Sequence, residues 1–407
     1  MRKQYLFGGI ISYASIFINI IASLLYIPWM VREIGQSNYA LYTLSTSFIS
    51  IFLMDFGLSS AVSRFVAKYR AENNTEKINA FIKLVTKMYV AIDIFIFFIL
   101  FIIYFFINDI YVGLTSSELA IYKTLYIVVA SYSILSFPFL SLSGVLNAYE
   151  KFVELKLCEL GQRLVTIFLV ILALINGYGV IAIVSANAIS SLMFILIKLL
   201  LVNKLTKIKL KIKTMNKFML KEILSFSVWV TIMSISQRFI FNLAPSILGI
   251  VSTSSEIAVF SPANSLEGYF FTFAAAVNGM FLSKISRHIA KKEEDKIFFL
   301  MLKVGRYQLV ILGLVFIGFI CVGKDFILLW MGKSYAKSWE CTILLFIPDI
   351  LIFTEQIAST TMIAKNYVKE MSIGYVIMAL ICFSLSFPLS ANFGAIGACI
   401  SIAISYL

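Results

Sequence analysis

Six charged side chains stand in stretches that are otherwise almost wholly apolar: Arg238, Asp55, Asp93, Glu267, Asp349 and Glu355. A charge at bilayer depth is costly, so each is a functional candidate by default. Arg238 is the one base among them. A guanidinium binds phosphate or carboxylate through a planar fork of donors. Gln237 adjoins it, and Asn242, four residues on, shares its helix face. The polar stripe has two readings: a wet cavity that binds an anion, or an ion pair with an acid such as Glu267. A buried carboxyl can take up a proton or a cation. Asp93, Glu267, Asp349 and Glu355 are the residues to carry such ion coupling. Asp349 and Glu355 are six apart and do not stack on one helix face.

Bases also gather at the ends of the apolar runs. Arg64, Lys68 and Arg70 read either as anchors on the cytoplasmic side or as an electrostatic trap for an anionic lipid headgroup. Arg163 is placed with them, near a cytoplasmic end. His288 is the only histidine and sits in SKISRHIAKKEEDK, which reads as a surface helix. Cys158, Cys321, Cys341, Cys382 and Cys399 form no C-x-x-C pair and read as buried free thiols. No His and Cys stand at metal-ligand spacing, and no glycine loop could cradle a phosphate. The chain offers no catalytic constellation and is not read as an enzyme.

The elements that must position these residues follow from composition. Of 407 residues 60% are hydrophobic and 14% charged, with 37 Phe and 20 Tyr; mean hydropathy is +0.94. A soluble domain cannot hide that much apolar surface, so the class is all-α integral membrane. Apolar runs mark twelve spans: 7–30, 39–63, 83–107, 124–146, 158–176, 180–203, 222–250, 256–282, 298–323, 341–364, 372–391 and 394–407. Each is continuous, as a helix requires and a membrane β-strand would not. With the N-terminus cytoplasmic, 28 of the 34 Lys and Arg fall on the cytoplasmic side and five on the other. This alternation sets a multi-pass topology with the N-terminus cytoplasmic. It also accounts for the net charge of +13 without nucleic acid as a partner.

An internal repeat of about 216 residues divides the spans six and six. Pro28 and Pro245 are offset by 217, Asp109 and Asp325 by 216. GVIAIVSANAISSL (179–192) and GAIGACISIAISYL (394–407) are offset by 215. The expected organisation is a six-helix N-terminal lobe (1–203), a basic cytoplasmic linker (204–221) and a six-helix C-terminal lobe (222–407). An even number of spans per repeat makes the lobes parallel. Against the repeat the last span stops about ten residues early, so a longer natural chain is expected. Pro138, Pro262, Pro348 and Pro388 lie inside spans, where they permit bends.

Several segments carry a resemblance: IPWMVREIGQSNYALYTLSTSF, MDFGLSSAVSRFVAKY, GMFLSKISRHIAKKEEDK and GKDFILLWMGKSYAKSW. In that order and spacing the chain resembles the Wzx-type polysaccharide flippases. These belong to the multidrug/oligosaccharidyl-lipid/polysaccharide exporter superfamily. The matching motif positions are Asp55, Gly57 and Arg64 in the first pattern, and Trp330, Gly332 and Tyr335 in the second.

The resemblance implies two six-helix lobes around a central cavity, working by alternating access. It implies movement of a polyprenyl-diphosphate-linked oligosaccharide, an O-antigen or capsule repeat unit, from the inner to the outer leaflet. Arg238, Gln237, Asn242, Arg64 and Arg163 are then the residues for the anionic headgroup. No cofactor is expected beyond a coupling proton or sodium ion. The partners are the lipid-linked glycan, the bilayer and the polymerase or assembly proteins of polysaccharide synthesis. Two alternatives stand: a multidrug or cation exporter of the same superfamily, favoured by the intramembrane acids, and a membrane sugar polymerase or ligase, disfavoured by the short outer loops.

Overall fold

The computed structural model describes residues 2–53, 56–206, 217–278, 285, 288–289, 293–365 and 367–406. Secondary structure among them is helical throughout. The chain packs as two units: Met1–Tyr111 with Thr115–Ile235, and Val112–Leu114 with Ser236–Leu407. Most of the expected linker lies outside the described residues.

The N-terminal unit begins with α1 (Arg2–Ile34) and α2 (Gln36–Phe52), which together with α3 (Leu58–Ala71) cover the first two expected spans. The second of those spans is broken. Gly57 takes φ 68°, a left-handed value that glycine adopts without strain, and α3 starts anew behind it. The Thr231 hydroxyl donates to the Phe56 carbonyl that the break frees. The glycine of the first motif is therefore a structural turn. Asp55 lies outside the described residues.

Next come α4 (Thr75–Ile110) and α5 (Ser116–Ser136). Asn74 caps α4 by accepting from Lys77 N at 2.9 Å. Thr115 and Glu118 form a reciprocal capping box at the start of α5, which satisfies two donors left over by the helix. Pro138 ends α5 in a 3-10 turn (Phe137–Phe139), and α6 (Ser141–Ala148) follows. Then come α7 (Phe152–Ile175) and α8 (Val180–Thr206).

In the C-terminal unit the expected seventh span is split at Leu243 into α9 (Lys217–Asn242, whose first part belongs to the N-terminal unit) and α10 (Ala244–Val251). Pro245 supplies the reason, since its ring excludes a continuous helix through residue 241. Pro28, its repeat partner, sits inside unbroken α1. After α11 (Ser254–Asn278) come α12 (Glu294–Trp330), α13 (Ser338–Thr354), α14 (Gln356–Ala364) and α15 (Val368–Tyr406). Helices α13 and α14 meet at a bend of 51°. The last two expected spans are the arms of α15, joined through Gly394 at φ 58° and ψ −133°. Val180 and Ala395 open equivalent helices at the repeat offset.

Among the described residues seven helices are long and apolar enough to cross a membrane, and the bent α13–α14 pair makes an eighth. Where the protein faces lipid it exposes apolar side chains: Phe95, Phe98, Phe101 and Phe105 on α4, and Val310, Leu314, Ile317 and Leu329 on α12. Such a surface suits hydrocarbon and not water. Cys321 is exposed on α12, which corrects the expectation that all five thiols are buried; the other four are buried. Aromatic stacking builds the cores, with Phe270 on Phe346 at 4.3 Å in the C-terminal unit and Tyr89 against Phe137 at 5.5 Å in the N-terminal unit.

The second motif also makes a turn. Trp330 ends α12, nearly buried and stacked on Phe326 at 5.5 Å. Gly332 takes φ 97°, and Tyr335 is buried in the 3-10 turn Lys333–Tyr335 that follows.

Candidate functional site

In the C-terminal unit the structure brings Glu267 and Asp349 together. Glu267 lies on α11 and Asp349 on α13, a pair of helices that pack side by side. Both side chains are buried, at 7% and 1% exposure. Their carboxyls lie close enough to interact electrostatically. One oxygen of Asp349 has no further partner. Tyr406 and Cys399 of α15 lie close enough to interact electrostatically with Glu267.

This pairing decides the reading of Arg238. Glu267 faces Asp349, and Arg238 makes no ion pair with a described residue. Arg238 is exposed, one turn from the end of α9. Asn242 shares its face, and the Asn242 amide reaches back to the Arg238 carbonyl at 3.4 Å. Asn242 thus turns towards the helix backbone. Gln237 is half-buried beside it. Glu355 stands apart from the acid pair, exposed at the bend between α13 and α14.

In the N-terminal unit Asp93 has no charged partner among the described residues. It is 9% exposed on α4, and one carboxyl oxygen is buried without a partner. Arg64 is exposed on α3, with its guanidinium 5.8 Å from the centre of the Phe65 ring. Arg70 stacks on Tyr149 at 5.0 Å and donates to the Ala148 carbonyl, which fastens α3 to the end of α6.

Arg163 is not near a helix end. It is halfway along α7, half-buried, and its Nη2 donates to the Ser23 hydroxyl of α1 at 2.7 Å. Its neighbours extend the polar seam. Gln162 donates to Ser191 of α8 at 2.9 Å, and Thr166 bonds to Ser190 of the same helix. Ser23, Gln162 and Ser191 do not stand out in the sequence, because uncharged polar side chains are common in spans. The one available signal was the spacing of Ser15, Asn19 and Ser23, four apart on one face of α1.

Between the spans, His288 is half-buried and bonded to Glu293 at 2.7 Å. The histidine of the expected surface helix is thus tied to a carboxylate. Glu293 also meets Lys296 at 2.8 Å. Lys296 and His288 together hold its carboxyl down, from the usual 4.5 to about 2. The Glu294–Lys365 pair, at 2.8 Å, ties the start of α12 to the end of α14. It lowers the Glu294 carboxyl and raises the Lys365 ammonium. No group of three metal-ligating side chains forms among the described residues.

Residues 6–281 match the polysaccharide biosynthesis protein family. The chain belongs to that family. No curated protein matches it in sequence. Among solved structures its fold is similar to the lipid II flippase MurJ in an inward closed conformation: TM-score 0.78, 17% identity, over 99% of this chain and 85% of that one. It is equally similar in TM-score, 0.78, to an inward-facing multidrug resistance MATE family transporter of the MOP superfamily. There the identity is 13%, over 98% of this chain and 94% of that one. A MOP superfamily transporter from Pyrococcus furiosus, described as having a binding pocket of reversed polarity, matches at TM-score 0.69. Its identity is 14%, over 99% of this chain and 92% of that one. The family member described here thus has the fold of multi-pass membrane transporters and flippases.

Proposed function

We propose that the protein moves a polyprenyl-diphosphate-linked oligosaccharide from the inner to the outer leaflet of the cytoplasmic membrane, with its N-terminus on the cytoplasmic side. The observation that carries this reading is two guanidiniums in apolar helices, Arg163 halfway along α7 and Arg238 one turn from the end of α9, each without a carboxylate partner among the described residues. Cations in that state call for an anionic ligand or water. An acidic lipid-linked glycan is such a ligand, and membership of a polysaccharide biosynthesis family agrees with it.

The acid pair supplies a second element. Two carboxyls brought together in a buried setting repel when both are charged, so a cation, most simply a proton, would bind between them. Binding and release of that cation would separate two states of the C-terminal unit, as alternating access requires. Glu267 and Asp349 are therefore the proposed coupling site. A multidrug exporter is the second reading, favoured by the same acid pair and by the MATE likeness.

Deletion of the gene decides between them. The flippase reading expects lipid-linked repeat units to accumulate on the inner leaflet with loss of surface polysaccharide. Normal surface polysaccharide together with drug sensitivity would establish the exporter instead.

A further inference from the structure

Three helices of the C-terminal unit start at one place. Glu256, in the first turn of α11, accepts from Ala395 N at the start of the second arm of α15, at 2.8 Å. Its other oxygen meets Lys337, at the start of α13, at 3.7 Å. Counted from these three residues, Glu267, Asp349 and Tyr406 lie eleven, twelve and eleven residues down their helices. At 1.5 Å per residue all three are about 16–18 Å deep, near the middle of a hydrocarbon core of about 30 Å. Tyr406 is close enough to interact electrostatically with Glu267, Asp349 and Cys382. The second arm of α15 therefore leads from the shared end down to the acid pair.

The way down is marked by hydroxyls. The two arms of α15 fold back on each other through Gly394, and contacts between them recur at every turn. Nearest the break, Leu389 and Ser390 pack on Gly397. One turn deeper, Ser386 Oγ and Ser401 Oγ lie 2.8 Å apart. One turn deeper again, the Cys382 thiol interacts with Ser405 and lies 3.8 Å from Ser386. All four serines are buried. Ser386, Ser401 and Ser405 donate back to their own helix, as serines in helices commonly do. Ser390 Oγ has no partner, and neither has Asp349 Oδ2 at the other end of the row. A buried hydroxyl left unpartnered is costly, so packing alone does not account for Ser390. A hydroxyl rotates, accepts on a lone pair and donates its own hydrogen. A row of them at this spacing can pass a proton along.

We propose that Ser390, Ser386, Ser401 and Ser405, with Cys382 and Tyr406, form the path by which a proton passes from the Gly394 end of the C-terminal unit to Glu267 and Asp349. Each member takes a proton on a lone pair from the group before it and releases its own to the next. The proton ends on a carboxylate of the pair, and the row is regenerated when its hydroxyls turn back. Chains of polar side chains serve as proton relays inside membranes. The proposal rests on the acid pair as the coupling site and adds the route and the side of entry. The charge alternation of the sequence makes that side the outer one.

The test uses the full chain in proteoliposomes of uniform orientation, acidified on one side at a time. Protonation of the pair is read from its carboxyl infrared band, which gives rate and extent separately. Glu267→Gln combined with Asp349→Asn is expected to remove the band. Ser390→Ala, Ser386→Ala and Ser401→Ala are expected to leave its extent unchanged. After acidification at the Gly394 end they should slow its rise at least about tenfold, the scale of a lost proton-transfer group. After acidification at the other end the rise should match wild type. Ser390→Ala removes a hydroxyl that has no partner, so it should fold as wild type does and keeps the test decisive if another serine variant does not. A wild-type rate in Ser390→Ala from the Gly394 end overturns the path and leaves the coupling site standing. Equal slowing from both ends marks a packing effect and overturns it too. A band that persists when both acids are exchanged removes the coupling site, and the path with it.

Discussion

Glu267 and Asp349 face each other across the α11–α13 contact, both buried, with carboxyls close enough to interact electrostatically. Either residue alone would be an isolated intramembrane acid. On the proposed coupling reading they act as one unit, binding a cation as a pair. Glu267→Gln and Asp349→Asn should each lower proton-gradient-driven flipping in proteoliposomes by about tenfold or more, one decade being about 1.4 kcal/mol. The double variant should be no worse than the worse single one, because both remove the same unit. Additive losses would show two independent sites.

Arg238 has no ion-pair partner among the described residues, so its replacement leaves no described acid stranded. Arg238→Ala should therefore assemble at normal levels but bind polyprenyl diphosphate about 10–100-fold more weakly, the range for hydrogen bonds to a charged group. Arg238→Lys should recover part of the loss, since it keeps the charge and not the fork. Surface polysaccharide at equal protein levels measures this. Full polysaccharide in both variants would remove Arg238 from the headgroup site.

The break in α15 depends on two contacts. Glu256 Oε2 accepts from Ala395 N at 2.8 Å, a carboxylate capping the second arm from a neighbouring helix. At Gly397 an added Cβ would run into the Leu389 carbonyl, which is backbone and has little room to move. Gly397→Ala should destabilise the C-terminal unit by about 1–3 kcal/mol, and Glu256→Ala by about 1 kcal/mol. Gly374→Ala, on the other arm, meets nothing within 4 Å. It should be stabilising by about 0.5–1 kcal/mol, because alanine is the better helix former. Thermal unfolding in detergent reads all three.

Glu293 sets a pH dependence at the start of α12. Its carboxyl is held at about 2 in the folded protein against an ordinary 4.5, first by Lys296 and then by His288. A carboxyl depressed on folding contributes stability above its unfolded value and loses it as pH falls through the folded value. Hydrogen exchange at the start of α12 should therefore be slower in wild type than in Glu293→Gln above about pH 5. The difference should shrink steadily towards pH 2. A difference that persists at pH 2, or grows with acid, would contradict the ion-pair assignment.

Much of the fold is legible in the sequence. Apolar runs, charge alternation and the repeat place helices where α4, α7, α8 and α12 are found, because hydrophobicity and charge partition locally along a span. The breaks at Gly57, Leu243 and the α13–α14 bend were less visible. Glycine and proline are tolerated inside membrane helices whenever neighbours satisfy the freed backbone groups, so Pro28 passes through α1 while Pro245 ends α9. The candidate site was legible as residue types only. Asp93, Glu267, Asp349 and Arg238 stand out because charges in apolar runs are rare.

Which charge answers which is a tertiary decision. The sequence by itself placed Glu267 and Arg238 in apolar runs and left them free to pair. Packing of α11 on α13 turned Glu267 to Asp349, 82 residues away by position, and left Arg238 exposed. The same holds for Arg163. From spacing it belonged with the bases near a helix end; the true extent of α7 puts it halfway, against Ser23 of a helix 140 residues earlier. Periodicity is a property of neighbouring residues, whereas the partner of a buried charge is set by which helix faces meet, and no local pattern records that.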